Sequence, residues 1–421
     1  MAKILHVVHR FIPDSIGGTE SYVYQLCKEQ IKNGHQTYVF CHLNQEYKKA
    51  KYEEKNIEGI HVFSVFVPLS IWLFLNKKRL EKLFKYFLTK IKPDIIHIHH
   101  LAAQNIELSS FLFIIDVIKK YKKILPQTKI LVSVHDWWYF CSRSQYFRSN
   151  FKLCHRSHFL DCLKCDGFRP LKFPYSIFYT FYYPFLWYQK REKIQTLFNL
   201  ATQIIFGSNT IKSDYFKVFK FKEKKTEVIP YGLAFELPNH ISIKNRFKSP
   251  LKIGYVGRLA FVKGVHILIQ ALNTINKTYY QCTICGSNSD KTYVQHCYGL
   301  AKGNTSIQFV ENFSEEKKKT LIEGFDILVI PSIGHESFCF TLWEAIACHV
   351  PVIVPHFGIF KDCLDQKPCG LFFERNNPIS LAEKLNDIIN GKVTFHFDPK
   401  LFIQKNDWPT YYSKLYDNRI L

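Results

Sequence analysis

The stretch Leu251-Lys252-Ile253-Gly254-Tyr255-Val256-Gly257-Arg258-Leu259, closed by Lys263-Gly264, decides the architecture. Six mostly apolar residues end at a glycine, a loop carrying two cations follows, and then a helical pattern begins. A short apolar run that yields to a helix marks a buried strand of a parallel sheet. The same alternation extends through the second half, with strands expected at Tyr280–Cys285, Ile307–Val310, Ile327–Ile330, Val352–Val354 and Gly370–Phe372. It also fills the first half, at Ile4–His9, Gln36–His42, Ile95–His99, Lys129–His135 and Ala201–Gly207, with helical patterns at Ser21–Asn33 and Lys77–Ile91 between them. Repeated βαβ units place the chain in the α/β class with two open parallel sheets. Glu236 to Pro250, with two prolines and mixed charges, reads as the linker. Ligands of such sheets bind outside the carboxyl ends of the strands, so a cleft between two facing sheets is the expected site.

Length and composition agree. A chain of 421 residues exceeds one ordinary domain, and 47% apolar residues suffice for a packed core. Its 13 cysteines are an odd number without a secretory leader pattern before them, which suggests reduced thiols and a cytoplasmic location. No run reaches the roughly 20 apolar residues of a membrane span. The net charge of +22 is uneven: residues 1–240 hold 36 Lys and Arg against 19 Asp and Glu, and residues 241–421 hold 21 against 16. The basic first half points to an anionic partner, unless its lysines are simply solvated.

Three segments carry chemistry. Gly17-Gly18-Thr19-Glu20 follows the first strand and opens a helix, where bare backbone N–H groups can approach a phosphate; an ordinary turn is the competing reading. Arg258 and Lys263 stand five apart in one loop at a strand end, suited to a diphosphate or else to plain solvation. His335-Glu336-Ser337-Phe338-Cys339-Phe340-Thr341-Leu342-Trp343-Glu344-Ala345 sets two glutamates eight apart across a loop-to-helix boundary. Carboxylates there can accept hydrogen bonds from sugar and ribose hydroxyls, although Glu344 alone could merely complement a helix dipole.

In this order the three segments resemble the retaining GT-B glycosyltransferases of family 4 (the group 1 glycosyl transferases). The likeness covers nearly the whole chain, including Gly34-His35, Pro93-Asp94-Ile95-Ile96-His97, Val228-Ile229-Pro230 and Cys348-His349-Val350-Pro351-Val352-Ile353. The tail from Asn406-Asp407-Trp408 to Tyr416 is similar to the family's last helix, which crosses back to the N-terminal domain. The resemblance implies an acceptor-side domain over 1–236 with 406–421, and a donor domain over 237–405. It implies a hexosyltransferase-type enzyme, a nucleotide diphosphate sugar as donor, and no cofactor in catalysis. The acceptor would be a hydroxyl of a bacterial surface glycan, with lipid-linked acceptors among the candidates. Carried over by position, Arg258 and Lys263 would bind the diphosphate, Glu336 the transferred sugar and Glu344 the ribose. Ser337 and Phe338 would line the donor site, Gly17 and Gly18 would approach the diphosphate, and His135 would stand beside the reacting centre. Tyr231 replaces a frequent asparagine and Cys339-Phe340 a glycine-containing stretch, so donor identity is left open.

Cys141, Cys154, Cys162 and Cys165, ending in a C-x2-C pair, suit a tetrahedral zinc, against a competing reading as unligated buried thiols. The stretch from Leu73 to Lys92 alternates apolar Leu75, Leu80, Leu83, Phe84, Phe87, Leu88 and Ile91 with lysines, as in a helix lying on an anionic bilayer. The aromatic run from Phe173 to Tyr188 would add anchoring; packing on the first sheet is the alternative. The rival enzyme is a sugar-nucleotide epimerase of the same two-sheet form, which would turn over without an acceptor. A basic nucleic-acid-binding protein is the rival from another class, but no nucleic-acid motif is present and no nucleic-acid partner is expected.

Overall fold

The structure is a computed structural model. It describes residues 1–15, 17–42, 52–65, 72–101, 112–148, 152–154, 158–167, 175–233, 242–244, 247–286, 290–311, 315–365, 367–398 and 407–416. The chain divides into two compact units, Met1–Gly232 with Trp408–Leu421, and Leu233–Asp407.

The first unit holds strands β1 (Lys3–Val7), β2 (Gln36–His42), β3 (Tyr52–Ile57), β4 (Ile60–Val65), β5 (Ile95–Ile98), β6 (Lys129–Val134), β7 (Gln203–Phe206) and β8 (Thr226–Val228). They form one sheet in the order β3-β4-β2-β1-β5-β6-β7-β8, parallel except for the β3–β4 pair. Helices α1 (Gly18–Lys32), α2 (Trp72–Ile91), α3 (Phe113–Ile124), α4 (Phe159–Cys162), α5 (Tyr175–Leu200) and α6 (Asn209–Phe216) connect them. Side chains alternate across the strands. Leu5, Val7, Ile96, Ile98, Ile130, Val132 and Val134 therefore share one face, buried with Leu80, Phe84 and Leu88 of α2, Ile114 and Ile118 of α3 and Leu197 of α5.

That packing corrects the bilayer reading of the Leu73–Lys92 stretch. Leu80, Phe84, Phe87, Leu88 and Ile91 are buried in the core, so the apolar face of α2 is already covered by protein. What remains outside is largely cationic: Lys78, Arg79, Lys82, Lys85 and Lys90 are exposed, together with Tyr86. The side chains of Leu75 and Lys77 lie outside the described residues.

The hairpin β3–β4 was not among the expected strands. Its turn, Glu58-Gly59, has positive φ at both residues (50° and 86°), the geometry that matches strand twist in a two-residue hairpin. Tyr52–Ile57 is polar because it is an edge strand, which hides the alternation a sequence reading depends on.

The second unit holds β9 (Ser242–Lys244), β10 (Leu251–Val256), β11 (Tyr280–Cys285), β12 (Ile307–Val310), β13 (Ile327–Val329), β14 (Val352–Pro355), β15 (Gly370–Phe373) and β16 (Phe395–Phe397). Helices α7 (Val265–Leu272), α8 (Lys291–Ala301), α9 (Glu315–Glu323), α10 (Phe340–Ala347), α11 (Gly358–Leu364) and α12 (Pro378–Ile389) alternate with them. The main sheet is wholly parallel, in the order β12-β11-β10-β13-β14-β15. The expected linker is in part a strand, since β9 pairs antiparallel with β16. Cys282 and Cys285, despite their C-x2-C spacing, are buried in β11 as core residues.

A last helix, α13 (Trp408–Leu415), belongs to the first unit. Tyr411 shares a 2.5 Å hydrogen bond with Tyr22 of α1, and the Tyr416 hydroxyl meets His97 Nδ1 at 2.7 Å. Gly232 makes room for it: a Cβ there would stand 2.7 Å from the Trp408 ring. Among the described residues, no helix is long and apolar enough to cross a membrane.

Candidate functional site

In each parallel sheet the strand order reverses at one point, and crevices open there beyond the carboxyl ends of the strands. In the second unit that point lies between β10 and β13. Gly257 and Arg258 leave β10 there, and the loop from Pro331 to Cys339 leaves β13. Val262 O accepts from both Ile333 N (2.9 Å) and Gly334 N (3.1 Å), tying the two loops together. Gly264, at φ 71°, makes the junction feasible, because a Cβ there would fall 2.0 Å from Pro331 O.

This junction brings Lys263 to Glu336. The ammonium donates to Glu336 Oε1 at 2.6 Å, and Ser332 Oγ donates to the same oxygen at 2.7 Å. Their side chains are 26% and 13% exposed, so water screens the pair only partly. Arg258 is exposed, and its carbonyl accepts from the buried Tyr255 hydroxyl at 2.8 Å. One predicted cation is thus paired with a predicted carboxylate while the other points to solvent.

Glu344, in α10, is bound 2.7 Å from Lys318 Nζ of α9, with side-chain exposures of 8% and 13%. Sequence reading missed Lys318, because it sits in the run Glu315-Glu316-Lys317-Lys318-Lys319, which looks like a solvated charge cluster. Ser332 was missed as well. Ser337 is half-buried, whereas Phe338 is only 4% exposed and packs its ring on Phe340 (5.0 Å) and Trp343 (6.2 Å). Cys339 caps α10 with φ 59°, a left-handed conformation that glycine adopts more readily, at the position where the sequence departs from a glycine-containing stretch.

In the first unit the reversal lies between β1 and β5. Gly17 precedes α1 and Gly18 is its first residue, as expected of a loop that opens a helix. An anion already stands beside them: the Glu20 carboxylate accepts from Ser15 Oγ at 2.9 Å and lies 3.6 Å from His9 Nε2. A Cβ on Gly17 would meet that carboxylate at 2.7 Å. His135 follows β6 and is 6% exposed. Its Nε2 lies 3.1 Å from His99 Nδ1, and burial lowers its pKa to about 3. Tyr231 fills the space over Gly207, donates to Val134 O at 2.9 Å and sets its ring, tilted by 39°, 5.2 Å from that of His135.

Behind His135 lies a set of buried histidines, His6, His97 and His99. The signal was present: His97 lies in β5 and His99 directly follows it, two apart, and the register sets His6 opposite His97. In an apolar run they read as interruptions, and only the pairing of strands gathers them.

Cys141, Cys154, Cys162 and Cys165 line one cavity of about 30 Å³ together with Arg143, Arg148 and Asp161. Burial raises the Cys141 thiol to about 12. Among the described residues the one trio of donor atoms within 4.8 Å is His6, His97 and His99, so the sulfurs would have to draw inward to share a zinc.

Residues 16–236 match the family described as Glycosyltransferase Family 4, and residues 238–399 match Glycosyl transferases group 1. An uncharacterized glycosyltransferase of Methanocaldococcus jannaschii is 23% identical over 411 residues, covering 92% of this chain and 89% of its own. The capsular polysaccharide biosynthesis glycosyltransferase CapM of Staphylococcus aureus is 26% identical over 206 residues, 46% of this chain and 53% of that protein. Among solved structures, Anabaena HepE in complex with UDP and glucose superposes with a TM-score of 0.59 at 14% identity, covering 98% of this chain and 95% of that one. With two sheets of mostly parallel strands in place and both halves matched, the chain belongs to the family 4 glycosyltransferases of group 1 and has the GT-B fold.

Proposed function

We propose that this glycosyltransferase moves a sugar, with retention at the anomeric carbon, from a nucleotide diphosphate donor to a hydroxyl of a bacterial surface glycan. The observation that carries the reading is the Lys263–Glu336 contact beside exposed Arg258, at the strand-order reversal of the second sheet. Arg258 and Lys263 supply the fixed positive charge that a departing nucleotide diphosphate requires, and Glu336 holds Lys263 in place while facing the sugar hydroxyls. Glu344 takes the ribose, and Ser337 and Phe338 shape the donor site. Gly17 and Gly18 leave room for the diphosphate, and His135 meets a hydroxyl of the reacting sugar. The bond from the anomeric carbon to the phosphate oxygen breaks, and the acceptor oxygen bonds on the same face. The acceptor's proton passes to the departing phosphate. Positioning and electrostatics suffice for this, so no cofactor enters the chemistry. The UDP held by HepE and the capsular role in CapM's name support the donor and acceptor classes.

Alanine at Arg258 or at Lys263 should lower turnover by about two to three orders of magnitude. Near wild-type rates in both would refute the assignment. Proton NMR of the product decides retention, since an inverted anomer excludes it.

The acceptor reading includes contact with an anionic membrane from the cytoplasmic side. Phe181, Phe185 and Tyr188 of α5 are 82%, 52% and 62% exposed at spacings of four and three, and the lysine face of α2 is open. Residues 168–174 lie outside the described residues. Pelleting with anionic but not neutral vesicles, lost in Phe181→Ser/Phe185→Ser, is the expected result; equal recovery in the supernatant with both vesicles would end the idea.

A further inference from the structure

Ring nitrogens of His6, His99 and His135 meet one another in the first unit. His6, His97 and His99 are fully buried, as is Gln30 of α1. Gln30 Oε1 stands 2.8 Å from His6 Nε2, His6 Nδ1 stands 2.9 Å from His99 Nε2, and His99 Nδ1 stands 3.1 Å from His135 Nε2. Three hydrogen bonds thus run in series from α1, through β1 and the end of β5, to the residue after β6. Burial lowers His6 to about 4 and His135 to about 3, and His99 well below its ordinary value, so all three rings are neutral at physiological pH. A neutral imidazole has one N–H and one lone pair.

With the Gln30 amide turned so that Oε1 faces His6 and Nε2 lies enclosed without a hydrogen-bond partner, one protonation pattern follows. A carbonyl oxygen only accepts, so His6 donates from Nε2 and its Nδ1 is a lone pair. That lone pair requires an N–H at His99 Nε2, which makes His99 Nδ1 a lone pair in turn. His135 must then donate from Nε2, and its Nδ1 is bare. Among the described residues Nδ1 of His135 has no hydrogen-bond partner, and it is absent from the fully enclosed polar atoms that lack one. The nitrogens of His6, His97 and His99 also come within the 4.8 Å that a metal ion would accept. Hydrogen bonds already use them: His97 spends Nδ1 on the Tyr416 hydroxyl at 2.7 Å and Nε2 on Ser133 Oγ at 2.8 Å.

We propose that Gln30, His6 and His99 are positioning residues that hold His135 in its Nε2–H tautomer, so that Nδ1 offers a lone pair to a ligand hydroxyl. The inference rests on the reading that His135 meets the reacting sugar. It adds a selectivity: the site takes an O–H donor there and repels an oxygen that brings only lone pairs, such as a phosphate oxygen. It also explains why a buried glutamine on α1 stands three side chains behind His135.

The test is the ring-nitrogen spectrum of the whole chain labelled with 15N-histidine, assigned by single substitutions. His6, His99 and His135 should each show a protonated Nε2 and a bare Nδ1 at neutral pH. A protonated Nδ1 in His99 or His135, or shifts typical of a bound metal, would overturn the proposal. Gln30→Met removes the terminal acceptor; His135 should then populate both tautomers, and kcat should drop about tenfold with the donor KM unchanged. An unchanged His135 spectrum in a folded Gln30→Met protein would remove Gln30 from the role. If that variant fails to fold, the wild-type spectrum still decides the protonation pattern. Wild-type rates in His135→Ala, with His6 and His99 still protonated at Nε2, would overturn the ligand half and its underlying reading while leaving the buried chain in place.

Discussion

Replacing Lys318 with methionine tests how Glu344 is held. The two charged atoms lie 2.7 Å apart, and their side chains are 13% and 8% exposed, so solvent screening is slight. Methionine keeps most of the packed stem and removes the ammonium that lies 2.7 Å from the carboxylate. Removing one partner of a buried pair costs about 3 to 5 kcal/mol, because the remaining charge is stranded. For a unit of this size each kcal/mol moves the melting point by about 2 to 4 °C, so a loss near 3 kcal/mol appears as roughly 6 to 12 °C. Neutralising both ends, in Lys318→Met with Glu344→Gln, should recover most of that loss. The assay is urea unfolding of wild type, both single variants and the double variant, followed by the fluorescence of the second unit, with UDP binding measured by calorimetry on the same four proteins. A coupling of about 2 kcal/mol or more is expected, with UDP affinity reduced in Lys318→Met. Additive effects, or a Lys318→Met variant as stable as wild type, would refute the argument that this pair is a buried support for the helix carrying Glu344.

Acid should destabilise the first unit earlier than surface charges alone would. His6 has its pKa lowered to about 4 and His135 to about 3, with His97 and His99 also well below 6.5, so the unfolded chain binds protons that the native one refuses. Stability is complete above pH 6.5 and falls as the pH drops towards 4; His6 alone accounts for roughly 3 kcal/mol by then. A flat urea midpoint between pH 6.5 and 4.5 would contradict this. Gly264→Ala should lose at least about 2 kcal/mol, since φ is 71° and the new Cβ would fall 2.0 Å from Pro331 O; wild-type urea stability would show that the loop yields freely. The thiol cavity is proposed to hold a structural zinc, with about one equivalent by elemental analysis of protein purified without chelator and its loss in Cys162→Ser. Metal-free protein of full stability would assign the four thiols to packing.

The fold was legible because it rests on local apolar runs. Leu251–Val256 and Lys129–Val134 are strands in any context that buries them, and their alternation with helical segments implies parallel sheets. Arg258, Lys263, Glu336 and Glu344 were legible as residue types at strand and helix ends, where backbone geometry is already constrained. Polar Tyr52–Ile57 was not legible, because an edge strand lacks the alternation that a buried face imposes. The apolar face of α2 was visible in the sequence, but whether it meets lipid or sheet depends on what lies opposite. In the folded chain the core of the first sheet lies there.

Pairing across distance is where sequence alone stops. That Lys263 meets Glu336, or Lys318 meets Glu344, depends on two loops and two helices arriving at one place, and residue spacing carries no information about that. The histidine chain shows the division most plainly. Sequence determined which positions on β1 and β5 carry imidazoles, and period-two alternation set His97 and His99 on a common face. Tertiary structure decided that His6 pairs beside them and that Gln30 closes one end while His135 opens the other. A hydrogen bond needs its partner within about 3 Å, and only the packed sheet with its helix sets that distance.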